Sequence, residues 1–441
     1  MKRLTLFVFL LLSVITILAG CSSEKPLLIW VGSESEAFYT QKMNDYVALY
    51  NASHEEKFPY RVAVKAVDTA SAGATFLDDT EAGADIFTVP HDHLGRLIAG
   101  ASSIAPVQSA ELLAQIEANT PEIFFDYIKG TVLGTEYTFG IPIIAQALIL
   151  YYNKSLITET QVQTWEGILE AAVAANKQAL SLAGADGFNN SFLLLARNAQ
   201  TLESSVRIYA DGTLLDCFAS GDDTVAIMKW GQRFFTNPNG AKPPSESGWE
   251  IELKDGISIS MIGGAWQFQA AQRALGSNLG VAKLPTFTLT SADAYGTAEA
   301  GTVFQSGTFY DTKMFVMKKN SPRAAYLEDI LLYLSSIEVQ EESFDQVANL
   351  PIYKNAVSEF SGFTGETLSA KLANAQVDMF QFGIPQPFGK QSAFNIYYYS
   401  KGAPDLIMEI LRNTGNNYTT HAQIKAKLEV IETIWKTGAQ N

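Results

Sequence analysis

Cysteine is nearly absent from this sequence: Cys21 and Cys217 are the two thiols among 441 residues. A disulfide-dense scaffold is therefore excluded, and a chain of this length can bury a large core without covalent staples. Histidine is scarce too, with four residues, which leaves little material for a metal centre built on imidazoles. Basic residues are outnumbered, 31 against 46 acidic ones, for a formal charge of -15. That balance argues against a nucleic-acid partner and against electrostatic adsorption to anionic lipid, and it is silent about a neutral ligand. No glycine-lysine phosphate loop, nucleophile-elbow pentapeptide or zinc-protease helix motif occurs. There is no internal repeat, heptad array or low-complexity segment, and no apolar run of transmembrane length after Cys21.

What is present begins with an address. Lys2 and Arg3 precede an apolar run from Leu4 to Ile17, which ends in Leu18-Ala19-Gly20-Cys21. The run is the length of a signal-peptide core rather than a membrane span. Its small-residue ending resembles the bacterial lipobox, in which the cysteine becomes the lipidated N-terminus. The resemblance implies a signal peptide over 1–20, lipidation at Cys21 and a short polar leash over 21–26. The mature chain, two units more negative without Lys2 and Arg3, is expected outside the cytoplasmic membrane and held to it only through the anchor. Cys217, left without a thiol partner, reads as a buried apolar residue.

Roughly 420 mature residues exceed what one core usually serves, so two domains are expected. Leu27-Leu28-Ile29-Trp30-Val31 reads as a buried strand, Ala37 to Tyr50 as a helix, and Arg61 to Val67 as a second strand. A helix-compatible stretch from Ala74 to Glu81 leads to a third strand, Asp85 to Pro90. This alternation predicts an α/β sheet with right-handed crossovers, whose ligands bind at the carboxyl ends of the strands. Attention therefore falls on Ser33, Glu34 and Ser35 after the first strand, and on His91, Asp92 and His93 after the third. Further on, Thr164 caps a predicted helix with Ile168, Leu169, Ala172 and Val173 inward. Ile257 to Ile262 reads as a strand entering Gly263-Gly264, Ala324 to Ile337 as a helix, and Ala403 to Trp435 as helices broken near Gly415. Asn237 to Gly248 and Gly383 to Gly389 read as loops.

Three segments carry a family resemblance: Ala84 to Gly95 (ADIFTVPHDHLG), Gly140 to Lys154 (GIPIIAQALILYYNK), and Met261 to Trp266 (MIGGAW) with Gly280 to Phe287 (GVAKLPTF). Together with Ile384-Pro385-Gln386 and Ser392-Ala393-Phe394, they resemble the family 1 extracellular solute-binding proteins, the maltose/maltodextrin-binding branch in particular. The resemblance spans essentially the whole chain from Leu27 onward. It implies an α/β, two-lobed periplasmic-binding-protein (Venus-flytrap) fold with the ligand in the cleft between lobes. One lobe would combine 27–145 with 287–350, and the other 146–286 with 351–441. The implied function is capture of a carbohydrate, maltodextrin or a related oligosaccharide, by hinge closure, without catalysis or cofactor, and delivery to the ABC permease of the membrane. A monomer is the family expectation.

Sugars need aromatic planes for their C–H faces and planar side chains for their hydroxyls. By resemblance, Trp266 is the stacking plane and Asp92 the hydroxyl acceptor. The family's maltose binders carry tryptophan where this chain has Val89 and Asn395, arginine at His93 and glutamate at Gln146. A different or shorter carbohydrate is therefore implied, with His93, Gln146 and Asn395 still able to hydrogen-bond. Glu34 suits the cleft by its place after the first strand. Asp186, Phe188 and Asn189 match loosely a cleft loop of the family, and Tyr397, Tyr398 and Tyr399 lie near Asn395, with core packing their default. Two other readings stay open. His91 and His93, on one face of an extended strand end, suggest metal capture, although only His54 and His421 remain as further histidines. A surface glycoside hydrolase would need two carboxylates that meet in space, which many pairs here can supply.

Overall fold

Leu27–Val31 lies between Val62–Ala66 and Ile86–Pro90, parallel to both, in the register Ile29 to Val64 and Trp30 to Phe87. This is the parallel sheet that the strand-helix alternation predicts, with the helices Glu36–Ser53 and Thr69–Asp78 as crossovers. The computed structural model describes residues 25–99, 102–182, 188–203, 206–207, 216–217, 220–242, 248–386 and 402–440. Cys21 and the leader lie outside them. Cys217 ends the short strand Asp216–Cys217. No helix among the described residues is long and apolar enough to cross a membrane.

The first sheet has seven strands, and one of them holds it together. Thr308–Lys318 pairs with Gly383–Pro385 through Thr308, Phe309 and Tyr310, and with Ile141–Ala147 over Tyr310 to Phe315. Its last half pairs with Ile86–Pro90 over Lys313 to Met317. A second sheet of four strands runs in the order Leu279–Ala282, Ile149–Asn153, Ser260–Gly263, Ser181–Leu182. Ile141–Ala147 belongs to the first sheet and Ile149–Asn153 to the second, so the chain changes sheets at Leu148. There the Leu148 N–H donates to Thr308 Oγ1 at 3.2 Å, tying the two crossings together.

Burial follows the two sheets. One apolar cluster joins Leu27, Ile29, Val31, Phe87 and Val89 to Ile141, Met314, Phe315 and Leu331. The other joins Leu150, Trp165, Ile168, Trp230, Ile262 and Leu279 to Ile407, Leu411 and Leu428. The segment 287–350, expected in the first lobe, is divided by this packing. Phe287, Leu289, Phe304 and Phe309 sit in the second cluster, with Phe287 stacked on Trp230 at 4.3 Å between centroids. Phe344, Leu350, Ile352 and Tyr353 form a third cluster with Phe124, Tyr127 and Phe363. An aromatic sequence favours whichever core offers it a matching plane, and no periodicity records which core that is.

Local signals hold where one residue decides the geometry. Thr164 Oγ1 accepts the Gly167 N–H at 3.0 Å, and the helix Trp165–Ala175 ends at Asn176 in the left-handed region, φ 52°. Ile168 and Ala172 face the core, Leu169 is half-buried, and Val173 is 55% exposed. A small core-facing Ala171 takes the inward place expected of Val173. The helix expected from Ala324 to Ile337 stops at Leu334, because Ser336 caps a new one, Ile337–Val347, through the Val339 N–H at 3.3 Å. Gly383–Pro385, expected as loop, is a strand.

At the amino end of the first sheet, Asp85 is 3% exposed. Its carboxylate accepts from the Leu28 N–H at 2.9 Å and from Ser321 Oγ at 2.7 Å, with Arg323 Nη1 at 3.5 Å. Removing a buried carboxylate strands its donors and its counter-ion, at a cost of about 3–5 kcal/mol. Asp85→Ala is expected to lower the denaturant midpoint accordingly, and Asp85→Asn to lower it less.

Candidate ligand-binding cleft

Because Leu27–Val31 and Ile86–Pro90 are parallel neighbours, the residues after each emerge at the same edge of the sheet. On one side stands Glu34. Its carboxylate folds back over Gly32, where a Cβ would come 2.4 Å from Glu34 Oε1, so a side chain at that position would push the carboxylate from its place. On the other side the chain tightens into a 3-10 turn, His91–His93.

That turn separates the two histidines that an extended strand would have placed on one face. Thr312 N–H donates to His91 Nδ1 at 3.3 Å, so Nδ1 accepts and Nε2 carries the proton, donating to Gln386 O at 2.8 Å. Both ring nitrogens are thus engaged by backbone, and the ring also stacks on Tyr127 at 4.8 Å. Burial pushes the His91 pKa down, which keeps the ring neutral and in this tautomer. His91 joins three chain segments and has no lone pair left for a metal. Among the described residues no group of three or more histidine, cysteine, aspartate or glutamate side chains could hold a metal ion. His93 faces elsewhere: a Cβ on Gly73 would come 3.0 Å from its Nδ1 and 3.2 Å from Arg96 Nη2. Burial lowers the His93 pKa to about 4; Asp92 opposes the shift and Arg96 adds to it.

Asp92 is 2% exposed, and its Oδ2 accepts from Gln386 Nε2 at 3.1 Å. Gln146 is 3% exposed and donates from Nε2 to Asp311 Oδ1 at 2.6 Å. The two are directly opposed in the register of Ile141–Ala147 with Thr308–Lys318. Burial raises the Asp311 pKa to about 7; the Gln146 hydrogen bond and Lys313 pull it down, and Asp92 adds to the rise. Two residues further on, Lys313 Nζ pairs with Glu34 Oε1 at 3.1 Å. Phe309, Asp311 and Lys313 alternate along the strand, so they share one face.

From the other cluster Trp266 reaches the same place. It follows Gly264, where a Cβ would meet its ring at 1.9 Å, so the ring lies folded against glycine backbone. Lys313 Nζ stands over the Trp266 ring, 5.7 Å from its centroid. Phe188 lies 6.0 Å from Trp266 and stacks on Phe309 at 6.3 Å. Asn189, beside Phe188, is 7% exposed. The structure therefore brings together Glu34, Lys313, Trp266, Phe188 and Phe309, with Asp311, Gln146, Asp92 and Gln386 along the same strand and its neighbours. Asp186 and Asn395 lie outside the described residues, as do Tyr397, Tyr398 and Tyr399. Asp311 and Lys313 went unnoticed in the sequence. Two opposite charges two apart inside a largely buried strand of eleven residues are the signal that could have found them. A shallow groove at Tyr152, Gln272 and Lys371 lies beside the terminal strand of the second sheet and holds none of these residues.

The architecture is that of the two-lobed periplasmic binding proteins, with these groups between the two sheets. The chain belongs to the bacterial extracellular solute-binding protein family, whose model matches residues 46–371. Among curated relatives, a maltooligosaccharide ABC transporter solute-binding lipoprotein of Streptococcus pneumoniae R6 is 21% identical over 365 residues, 80% of this chain and 78% of that one. A galactooligosaccharide-binding protein of Bacillus subtilis 168 is 21% identical over 387 residues, 83% of this chain and 80% of that one. Solved structures share the fold. A maltodextrin-binding protein from L. casei BL23 without ligand superposes with TM-score 0.68 at 19% identity, covering 93% of this chain and 98% of that one. A Streptococcus pneumoniae protein in complex with maltopentaose superposes with TM-score 0.68 at 16% identity, covering 93% of this chain and 99% of that one.

The raised Asp311 pKa carries a sign. Between the ordinary carboxylate value of 3.8 and about 7, the folded chain binds a proton that the unfolded chain has released. Stability from this group is therefore full below the lower value and is lost as pH rises to the upper one. The depressed His93 works the other way over pH 4 to 6.5, so the two partly cancel in the native protein. Asp311→Asn removes only the first. The melting temperature of Asp311→Asn relative to native is expected to climb from pH 4 to pH 7 and then level off, as read by thermal scans at half-unit steps.

Proposed function

We propose that this protein is the ligand-capturing component of an ABC importer and binds an oligosaccharide in the cleft between its sheets. The carrying observation is the meeting of Trp266, from the second sheet, with Glu34 and Lys313, from the first. An aromatic plane from one lobe facing fixed donors and acceptors from the other is what a hydroxylated ring with apolar C–H faces requires. The relatives named for maltooligosaccharide and galactooligosaccharide binding support the substrate class. Binding proceeds by hinge closure about the Leu148 and Thr308 crossings, and a permease receives the loaded form. The first lobe is built on the core of Leu27, Phe87 and Met314, and the second on that of Leu150, Trp230 and Ile407. Cys21 carries the lipid anchor outside the cytoplasmic membrane. The ligand leaves unaltered, because the buried carboxylates nearest the cleft are tied to Gln146, Gln386 and Lys313 rather than set as an acid and nucleophile pair.

Val89 is fully buried in the first core, so its position offers a ligand no aromatic plane. The cleft therefore relies more on hydrogen bonds than on stacking. The test is thermal unfolding of the mature chain against maltooligosaccharides and galactooligosaccharides. A ligand at a hundred times its dissociation constant adds about 2.7 kcal/mol of stability, a visible shift. Trp266→Ala and Asp92→Ala are each expected to weaken binding about tenfold or more. No shift with any saccharide, or product formation from one, would overturn the reading.

A further inference from the structure

We propose that Lys313 is a specificity-determining residue, which with Glu34 reads two adjacent hydroxyls on the sugar ring stacked against Trp266. The inference rests on the carbohydrate reading of the cleft and names the residues that choose among carbohydrates.

Lys313 lies on a strand whose other residues are nearly all buried and apolar or small, and it retains 8% of its side-chain surface. A buried ion pair of this kind contributes little to stability compared with two apolar side chains of the same volume. Stability alone thus does not account for a lysine in the strand on which the first sheet depends. Its surroundings do. Glu34, held back over Gly32, fixes the ammonium from one side at 3.1 Å. The Trp266 ring receives it from the other side at 5.7 Å from the centroid. An ammonium has three donors and no acceptor, whereas a carboxylate accepts only. Side by side they form a donor and an acceptor about one hydrogen bond apart, the spacing of neighbouring hydroxyls on a pyranose. One hydroxyl donates to Glu34 and its neighbour accepts from Lys313.

The ammonium holds the Trp266 ring face that a stacked sugar would cover. A ring that stacks on Trp266 displaces it from a cation-π contact, a loss of up to about tenfold in affinity at a partly exposed site. The ligand recovers this only by offering the displaced ammonium a hydroxyl. Saccharides lacking a hydroxyl at that position, or carrying an axial group that points away from the pair, bear the loss without the recovery. Selection therefore acts at the ring that stacks on Trp266, the aromatic side chain over which Lys313 stands.

The test uses isothermal titration of the mature chain with maltotriose, with a β-linked galactotriose, and with mono-deoxy analogues of whichever one binds. Lys313→Met is expected to weaken the parent sugar about tenfold or more, as loss of a charged hydrogen bond does. The analogue lacking the Lys313-facing hydroxyl should lose more than that against the native protein, because it still displaces the ammonium from the Trp266 ring, a cost that Lys313→Met abolishes. It should lose almost nothing further against Lys313→Met. Glu34→Gln/Lys313→Met removes both charges together, so it keeps the fold if Lys313→Met leaves Glu34 too costly to bury. In that double variant the same hydroxyl should again stop mattering. Equal or tighter binding of the parent sugar by either variant overturns the proposal, as does an identical loss for every analogue in native and variant proteins. If the native chain binds neither trisaccharide, the carbohydrate reading falls and this inference with it. A native chain that binds while the variants match it sinks the inference alone.

Discussion

Between Thr308 and Lys318 a single strand pairs in turn with Gly383–Pro385, Ile141–Ala147 and Ile86–Pro90. Its backbone hydrogen bonds are the connection through which the later chain joins the first sheet. Phe309 at its start packs in one core, and Met314 to Met317 near its end in the other. Burial on both sides demands that every backbone group be paired, which these three strands and Ile104–Ala105 supply. The polar side chains of its middle, Asp311 and Lys313, are buried as well, and each meets a partner from elsewhere in the chain, Gln146 for the one and Glu34 for the other. The functional groups are therefore where they are because the sheet needs this strand, and the strand crosses between the cores.

The charges of the cleft answer one another within short range. Glu34 is matched by Lys313, Asp92 by Gln386, and Asp311 by Gln146 with a pKa near neutrality. Each carboxylate escapes the full cost of burial through a partner or a proton. His91 stays neutral between two backbone groups and acts as a strut. A sugar, being neutral, can enter such a site without upsetting the balance of charge, and it finds polar groups already oriented. On the proposed reading, preorganisation of this kind lets a few hydrogen bonds and stacking on Trp266 suffice for capture.

The same groups show how far a sequence can be read. Glu34 and Asp92 were legible because parallel strands put their carboxyl ends on one edge, and both strands announced themselves by apolar runs. Trp266 was singled out by family resemblance, and the structure sets it against Lys313. His91 was misread: its spacing from His93 fits an extended strand, but the chain turns 3-10 at that point and sends the two rings apart. Lys313 and Asp311 were overlooked because their meaning depends on residues 279 and 165 positions away in the chain, which no local pattern encodes. The lobe assignment of 287–309 failed to follow from order along the chain for a related reason. Phe287 packs where Trp230 presents a plane, and that plane exists only after the helix Asp222–Thr236 has folded.

By itself the sequence determined the α/β class, the strand ends that meet at one edge of the first sheet, the cap at Thr164, and membership of the solute-binding family. Those features rest on periodicities and on single residues whose geometry is local. Only the tertiary structure decided that Lys313 stands between Glu34 and Trp266, that Asp311 holds its proton near neutral pH, and which core each aromatic of 287–309 joins. Those depend on burial and on distances between remote residues, and both exist only once the backbone pairing of Thr308–Lys318 has brought the sheets together.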